Sequence, residues 1–216
     1  MARITVLGGT GYAGAAIVAE AARRGHEVTA VSRTRPEAPV DGVEYVAGSV
    51  LDAAVLDAVI PGRDVVVSAV SPRGDMAGRV EDVVRELASR VAGTATRLGV
   101  IGGASSLLVE PGGPRLWDVT KDHVPDEVRP EVETGLQIFE DLQATPESVD
   151  WFFVSPPEKF GAWIAAPVTG AYRLGGDVLL RDAAGESTIS AADLAIAVID
   201  EVENAAHHRA RFTAAH

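Results

Sequence analysis

Seven residues near the N-terminus constrain this chain more than any others: Gly8-Gly9-Thr10-Gly11-Tyr12-Ala13-Gly14. They follow a short β-branched run, Ile4 to Leu7. They lead into Tyr12 to Arg24, where Ala15, Ala16, Ala19 and Ala22 recur at helical spacing. A strand, a glycine turn and a helix in that order open a βαβ unit. The glycines satisfy G-x-G-x-x-G through Gly9, Gly11 and Gly14, and G-x-x-G-x-x-G through Gly8, Gly11 and Gly14. Each has a mechanical use. One permits the tight turn, one lets backbone N–H groups approach a pyrophosphate, and one lets the helix pack close to the sheet. The helix N-terminus then turns free N–H groups and its positive dipole end toward phosphate. The alternative is a glycine-rich turn that binds nothing.

The rest of the chain continues the alternation. Glu27 to Val31 and Val43 to Val46 read as strands. Asp52 caps a helix carrying Val55, Leu56 and Val59, and Pro61-Gly62 ends it. Val65-Val66-Val67 is the uninterrupted apolar run of a parallel strand buried on both faces. Met76, Val80, Val83, Val84, Leu87, Val91 and Leu98 recur at helical steps, so a helix is expected there, ended by Gly99 before a strand at Val100-Ile101. Ser106 to Arg129 is rich in proline and glycine and reads as irregular. A helix resumes with Val132, Leu136, Phe139 and Leu142. Asp150 to Val154 reads as a sixth strand and Arg211 to Thr213 as a last one. Ser190-x-x-Asp193 resembles a capping box ahead of a helix from Leu194 to Val202. These features predict an α/β fold, a Rossmann-like doubly wound parallel sheet. They predict a single domain over residues 1–216, with an irregular substrate-side lobe at 155–188 after the sixth strand. Ligands in such sheets bind outside the carboxyl ends of the strands.

Composition narrows the partners. The 216 residues carry 19 Lys and Arg against 31 Asp and Glu, a net charge of −12. That disfavours a nucleic-acid backbone or an anionic membrane as partner. With no cysteine, thiolate catalysis, disulfides and cysteine-based zinc sites are excluded. No metal site is expected, since His207-His208 has no third ligand at recognisable spacing. No targeting segment or membrane span is evident, and a cytoplasmic protein is expected, monomeric or homodimeric.

The kind of nucleotide is legible after the second strand. A site for NAD commonly places Asp or Glu there, holding the ribose 2′-hydroxyl. Here the segment runs Ala30-Val31-Ser32-Arg33-Thr34-Arg35, with two arginines and no acid. A guanidinium matches a 2′-phosphate by charge and by its fork of donors. NADP(H) is therefore expected in preference to NAD(H). The alternative is that Arg33 and Arg35 are solvated loop charges.

On these residues the chain resembles the atypical short-chain dehydrogenases, near their NmrA-like, biliverdin/flavin reductase and epimerase/dehydratase branches. The resemblance spans nearly the whole chain. It rests on the glycine loop, on Asp64 to Ser71, on Val100-Ile101-Gly102-Gly103-Ala104-Ser105-Ser106-Leu107 and on Asp150-Trp151-Phe152-Phe153-Val154-Ser155-Pro156-Pro157. Gly170-x-Tyr172-Arg173-Leu174-Gly175-Gly176-Asp177 and Ile189-Ser190-x-x-Asp193 extend it. It implies a pyrophosphate loop of Gly8, Gly11 and Gly14, with backbone contacts from Thr10, Tyr12 and Ala13. Arg33 is implied at the 2′-phosphate, flanked by Ser32 and Arg35. Gly48 to Asp52 resembles an adenine-contacting turn in which Ser49 replaces the usual acid, leaving Val50 to contribute its backbone. Ala69, Val70 and Ser71 would pass the ribose. Ser155, Pro156 and Pro157 would meet the carboxamide, with Gly103 nearby. Ser105 or Ser106 falls where the family places its active-site serine.

One departure bears on chemistry. The usual acid/base pair of short-chain dehydrogenases is Tyr-x-x-x-Lys. The residues four places after Tyr12, Tyr45 and Tyr172 are Ala16, Ser49 and Gly176. Alcohol and ketone chemistry needs a proton donor at the carbonyl oxygen. Hydride transfer to a flavin, a quinone or a similar planar acceptor does not, because water supplies the proton and the protein binds and orients. The first expectation is thus an NADPH-dependent reductase of a small planar acceptor, with Ser105, Ser106 and Lys159 as candidate catalytic groups. Lys121 and His123 are further candidate donors, and Trp117, Phe160 and Trp163 candidate stacking surfaces. The alternatives are a non-catalytic NADP(H) sensor of the NmrA-like type and, more distantly, a nucleotide-sugar epimerase or dehydratase.

Overall fold

The apolar runs of the sequence become strands of one sheet, because a run apolar at every position is stable only when covered on both faces. The computed structural model describes residues 1–216. In chain order the elements are β1 (Arg3–Leu7), α1 (Tyr12–Arg23), β2 (Glu27–Ser32), β3 (Glu44–Ala47), α2 (Ala53–Val59), β4 (Val65–Ser68) and α3 (Val80–Val91). There follow β5 (Arg97–Ile101), α4 (Leu116–Thr120), α5 (Arg129–Gln143), β6 (Trp151–Ser155), β7 (Arg173–Gly175), α6 (Ala191–Glu203) and β8 (Ala210–Ala215). The strand order is β3-β2-β1-β4-β5-β6-β8-β7. Every neighbouring pair is parallel except β7 with β8. This is the expected doubly wound Rossmann-like sheet. The chain winds outward from β1 to β3 and then returns to β4 on the other side of β1. That reversal opens a crevice at the carboxyl ends of β1 and β4.

Two cores cover the two faces. On one, Ile17, Val18 and Ala21 of α1 and Leu194 and Val198 of α6 pack over Val6, Val28 and Phe152. On the other, Leu56 of α2, Val83 and Leu87 of α3, and Ile138 and Leu142 of α5 pack over Leu7, Val66 and Phe153. Each such side chain fully buried contributes roughly 1.5–3 kcal/mol.

The structure differs from the sequence expectation in several places. The helix expected from Met76 through Leu98 ends at Val91, and Leu98 and Gly99 lie inside β5. Gly99 does not stop a helix. It makes room for the Phe152 ring of the adjacent strand, whose Cζ would lie 2.3 Å from any Cβ there. The irregular stretch after β5 contains the short helix α4. The lobe after β6 contributes β7, an antiparallel edge strand absent from the sequence reading. The capping box at α6 is half formed. The Ser190 hydroxyl accepts from the Asp193 N–H at 3.0 Å, but Asp193 does not reciprocate to the Ser190 backbone. Its fully buried carboxylate instead accepts from the N–H groups of Thr169 and Gly170 at 2.9 and 2.8 Å, the Ser190 hydroxyl, and His216 Nε2 at 2.8 Å. Asp193 therefore fastens the lobe and the last residue of β8's exit to one helix end.

Candidate functional site

The glycine loop is built by close approach. The N–H groups of Gly8 and Gly9 both donate to the Val31 carbonyl, at 2.9 and 3.0 Å, which clamps the turn onto the end of β2. Gly8 has φ +79°, and a Cβ there would stand 2.7 Å from the Ala69 carbonyl oxygen. A Cβ on Gly14 would stand 2.1 Å from the Gly8 oxygen, so the start of α1 rests directly on the turn. Gly11 is different. Its Cβ would meet only the Gly8 oxygen, at 3.3 Å, and otherwise faces open space. The first-turn N–H groups of Tyr12, Ala13 and Gly14 have no acceptor within the protein. A Cβ on Gly9 would stand 2.8 Å from that of Ala30. Three glycines thus serve the fold, and Gly11 leaves clear the approach to unpaired donors, which is how an anion site at a helix N-terminus is made.

A cleft of about 860 Å³ extends from this loop across the carboxyl ends of the central strands. It brings together most of the residues singled out in the sequence. Gly8, Thr10, Gly11, Tyr12 and Ala13 line it from the loop, Ser32 and Arg33 from the end of β2, and Ser49 and Val50 from the turn after β3. Ala69, Val70 and Ser71 line it after β4, Gly103, Ser105 and Ser106 after β5, and Pro156 and Pro157 after β6. The parallel register explains the convergence, since every one of these segments leaves the sheet at the same end.

Four expected residues lie elsewhere. Gly14 is buried beneath the loop. Arg35 is exposed and outside the cleft. β6 runs one residue further than expected, so Ser155 is a fully buried strand residue, and its hydroxyl has no partner. Lys159 sits on a short bridge to Thr188, and its ammonium pairs with Glu186 at the surface rather than reaching the cleft. Of the other candidates, Phe160 and Trp163 line the cleft, whereas Trp117, Lys121 and His123 do not. Trp117 is buried, with the Arg129 guanidinium 5.6 Å from its ring. His207 and His208 lie at the opposite end of the sheet, paired with Glu201 and Asp150.

The part of the cleft beyond Ser71 is walled by Val80, Leu116, Val124, Val132, Leu136 and Ile138. Its rim holds residues that the sequence did not single out. Arg73, just after β4, lies 4.1 Å above the Trp163 ring and donates to Glu131 of α5 at 2.8 Å. These three groups join the β4 exit, the lobe and α5 across the opening. A signal existed in Ser71-Pro72-Arg73, a charge placed directly after a buried strand, but nothing local points to its partners.

A family model described as NAD(P)H-binding matches residues 8–205. The chain belongs to this NAD(P)H-binding family. The match agrees with the resemblance drawn from the motifs. Among curated relatives, the uncharacterized protein YwnB of Bacillus subtilis is 37% identical over 213 residues, covering 98% of this chain and 97% of YwnB. A Streptococcus pneumoniae protein, provisionally named an NADH-flavin reductase, has a solved structure that superposes with a TM-score of 0.88 at 30% identity. The superposition covers 100% of this chain and 99% of that one. A Bacteroides thetaiotaomicron protein, provisionally named an epimerase, superposes with a TM-score of 0.84 at 32% identity, covering 100% and 98%.

Proposed function

We propose that this NAD(P)H-binding protein is a reductase that binds NADPH and passes hydride to a small, neutral, planar acceptor such as a flavin or a quinone. The observation that carries the proposal is one continuous cleft with two unlike halves. One half offers unpaired helix-terminal N–H groups and, at the end of β2, Arg33 with no acid beside it in sequence. The other half is apolar, with Phe160 and Trp163 at its edge. Bound in the first half, the reduced dinucleotide supplies a hydride, and the acceptor takes its accompanying proton from water. The protein's own groups bind and orient. The α1 terminus and Gly11 seat the pyrophosphate, Arg33 and Ser32 meet the 2′-phosphate, and Pro156 and Pro157 bound the carboxamide. Ser105 or Ser106 holds the acceptor. The relative named for NADH-flavin reduction supports the acceptor class.

A second reading, a non-catalytic NADP(H) sensor, is favoured by one feature, the missing Tyr-x-x-x-Lys pair. Steady-state NADPH oxidation with a panel of flavins and quinones separates the two. Turnover supports the reductase. Tight NADPH binding without turnover of any acceptor overturns it in favour of the sensor.

A further inference from the structure

Ser106 and Arg211 stand 105 positions apart in the chain and meet behind the cleft. Ser106 is 8% exposed and lines the cleft. Its hydroxyl oxygen accepts from Arg211 Nη1 at 2.8 Å, and the same nitrogen donates to the Ser106 carbonyl at 3.0 Å. The guanidinium is itself held. Nε and Nη2 both donate to one oxygen of Asp177, at 2.9 and 2.6 Å, and the Phe139 ring lies 4.4 Å away. The Arg211 side chain is 5% exposed.

A serine hydroxyl has one hydrogen to give and two lone pairs to receive. Arg211 has no acceptor to offer, so the Ser106 hydrogen cannot point at it. No other group in the protein accepts that hydrogen either, as Ser106 Oγ takes part only in the bond from Arg211. Arg211 borders a second, smaller cavity of about 200 Å³ on the far side of Ser106, and does not line the main cleft. Ser106 borders both cavities, whereas Arg211 borders only the smaller one. With the cation holding a lone pair on that side, the hydrogen is left free to turn to a ligand in the main cleft. The bond from a cation also withdraws electron density from the oxygen and makes its O–H a stronger donor. Ser105 lacks such support, since its hydroxyl has no partner in the protein and is free to rotate.

We infer that Ser106, not Ser105, is the hydrogen-bond donor to the acceptor, and that Arg211 is a positioning residue that aims and polarises it. The inference rests on the proposed reductase activity. It also gives the C-terminal strand β8, which does not line the cleft, a part in the chemistry.

The test is NADPH oxidation with riboflavin, a neutral flavin, at saturating NADPH, for the wild type, Ser105→Ala, Ser106→Ala, Arg211→Gln and the Ser106→Ala/Arg211→Gln double variant. Ser106→Ala and Arg211→Gln should each lower kcat about three- to tenfold, and a separate titration of NADPH should leave its KM unchanged. The double variant should be no slower than Ser106→Ala alone, because Arg211 acts only through that oxygen. A merely structural arginine would slow the enzyme in either background. Should Arg211→Gln fail to fold, Asp177→Asn loosens the guanidinium without removing it, and its smaller loss should likewise vanish beside Ser106→Ala. Multiplying losses in the double variant, or a loss confined to Ser105→Ala, would overturn the inference and leave the reductase standing. Absence of wild-type turnover with every flavin and quinone would remove both.

Discussion

Arg33, the residue after β2, pairs with Asp75 in the turn after β4, its Nη1 lying 3.2 Å from the carboxylate. The pair joins the two sides of the crevice where the strand order reverses. Both side chains are largely exposed, at 72% and 66%. An exposed pair of this kind contributes about 0–1 kcal/mol, so it presents little barrier to a competing anion at Arg33.

The proposed preference for NADPH is tested at that pair. A charge-assisted hydrogen bond contributes about 1.5–3 kcal/mol. Arg33→Ala should therefore weaken NADPH about 10- to 100-fold and leave NADH nearly unchanged. Asp75→Asn frees the guanidinium and should tighten NADPH by up to about fivefold. Titration calorimetry of the three proteins measures both effects. Equal affinity of the wild type for NADPH and NADH would contradict the assignment of Arg33.

Gly11 tests the loop. A side chain there meets almost nothing in the protein, yet in the proposed binding mode it would project where the pyrophosphate lies against the backbone. Gly11→Val should keep its circular dichroism spectrum and melting temperature while losing cofactor binding. Gly14→Val, whose Cβ would collide with the Gly8 carbonyl, should lose stability as well. A folded Gly11→Val protein that still bound NADPH would make the loop a turn and nothing more.

Chemistry without a tyrosine acid has its own signature. Loss of general acid catalysis in an enzyme that depends on it costs about 10²–10⁴-fold. Removing both Ser105 and Ser106 hydroxyls deletes a hydrogen bond of roughly 0.5–1.5 kcal/mol, and turnover of a flavin or quinone should fall by at most about tenfold. Simple secondary alcohols should not be oxidised by the wild type. Rapid oxidation of such an alcohol would require a general acid/base group beside the nicotinamide and would overturn this mechanism.

Acid stability should follow Asp193. Burial pushes its pKa up, but hydrogen bonds from Thr169, His216, Ser190 and Gly170 outweigh burial and hold it below the ordinary aspartate range. A group with a depressed folded pKa adds stability above its unfolded value, near 3.9, and that contribution fades as pH falls through the folded value. Melting temperature should be insensitive to this group from pH 7 to about 5 and should drop below about 4. Asp193→Asn should lower it at pH 7 by roughly 4–8 °C, for about 2 kcal/mol of lost charge-assisted bonding. It should also flatten the acid limb. The flattening is partial, because Glu201 is also depressed: burial raises it, and Arg97 and His207 lower it further. An unchanged acid limb in Asp193→Asn, followed by calorimetry, would count against this role.

Much of the site was legible because its determinants are local. Gly8 to Gly14 encode a turn and a helix start within seven residues, and the apolar run at Val65 to Val67 encodes a central strand. Once those are placed, parallel topology brings Ala69, Ser105 and Pro156 to one end of the sheet. What escaped depends on partners distant in sequence. Leu98 continues the spacing of the helix before it, and only the Phe152 ring against Gly99 shows that it belongs to a strand. Lys159 follows the cleft residue Pro157 closely in sequence but is drawn away by Glu186. Arg211 lies near the end of the chain, and no pattern around it names Ser106.

The position of β8 between β6 and β7 has a consequence for synthesis. Arg173–Gly175 is synthesised before Ala210–Ala215, the strand on which that segment pairs. The same late strand delivers Arg211 to Ser106. A nascent chain stalled before Arg211 holds the whole glycine loop and the residues that line the cleft, yet β7 has no neighbour and Ser106 no anchor. The backbone of the glycine loop is thus set by segments that precede β7, while the anchoring of Ser106 waits on β8.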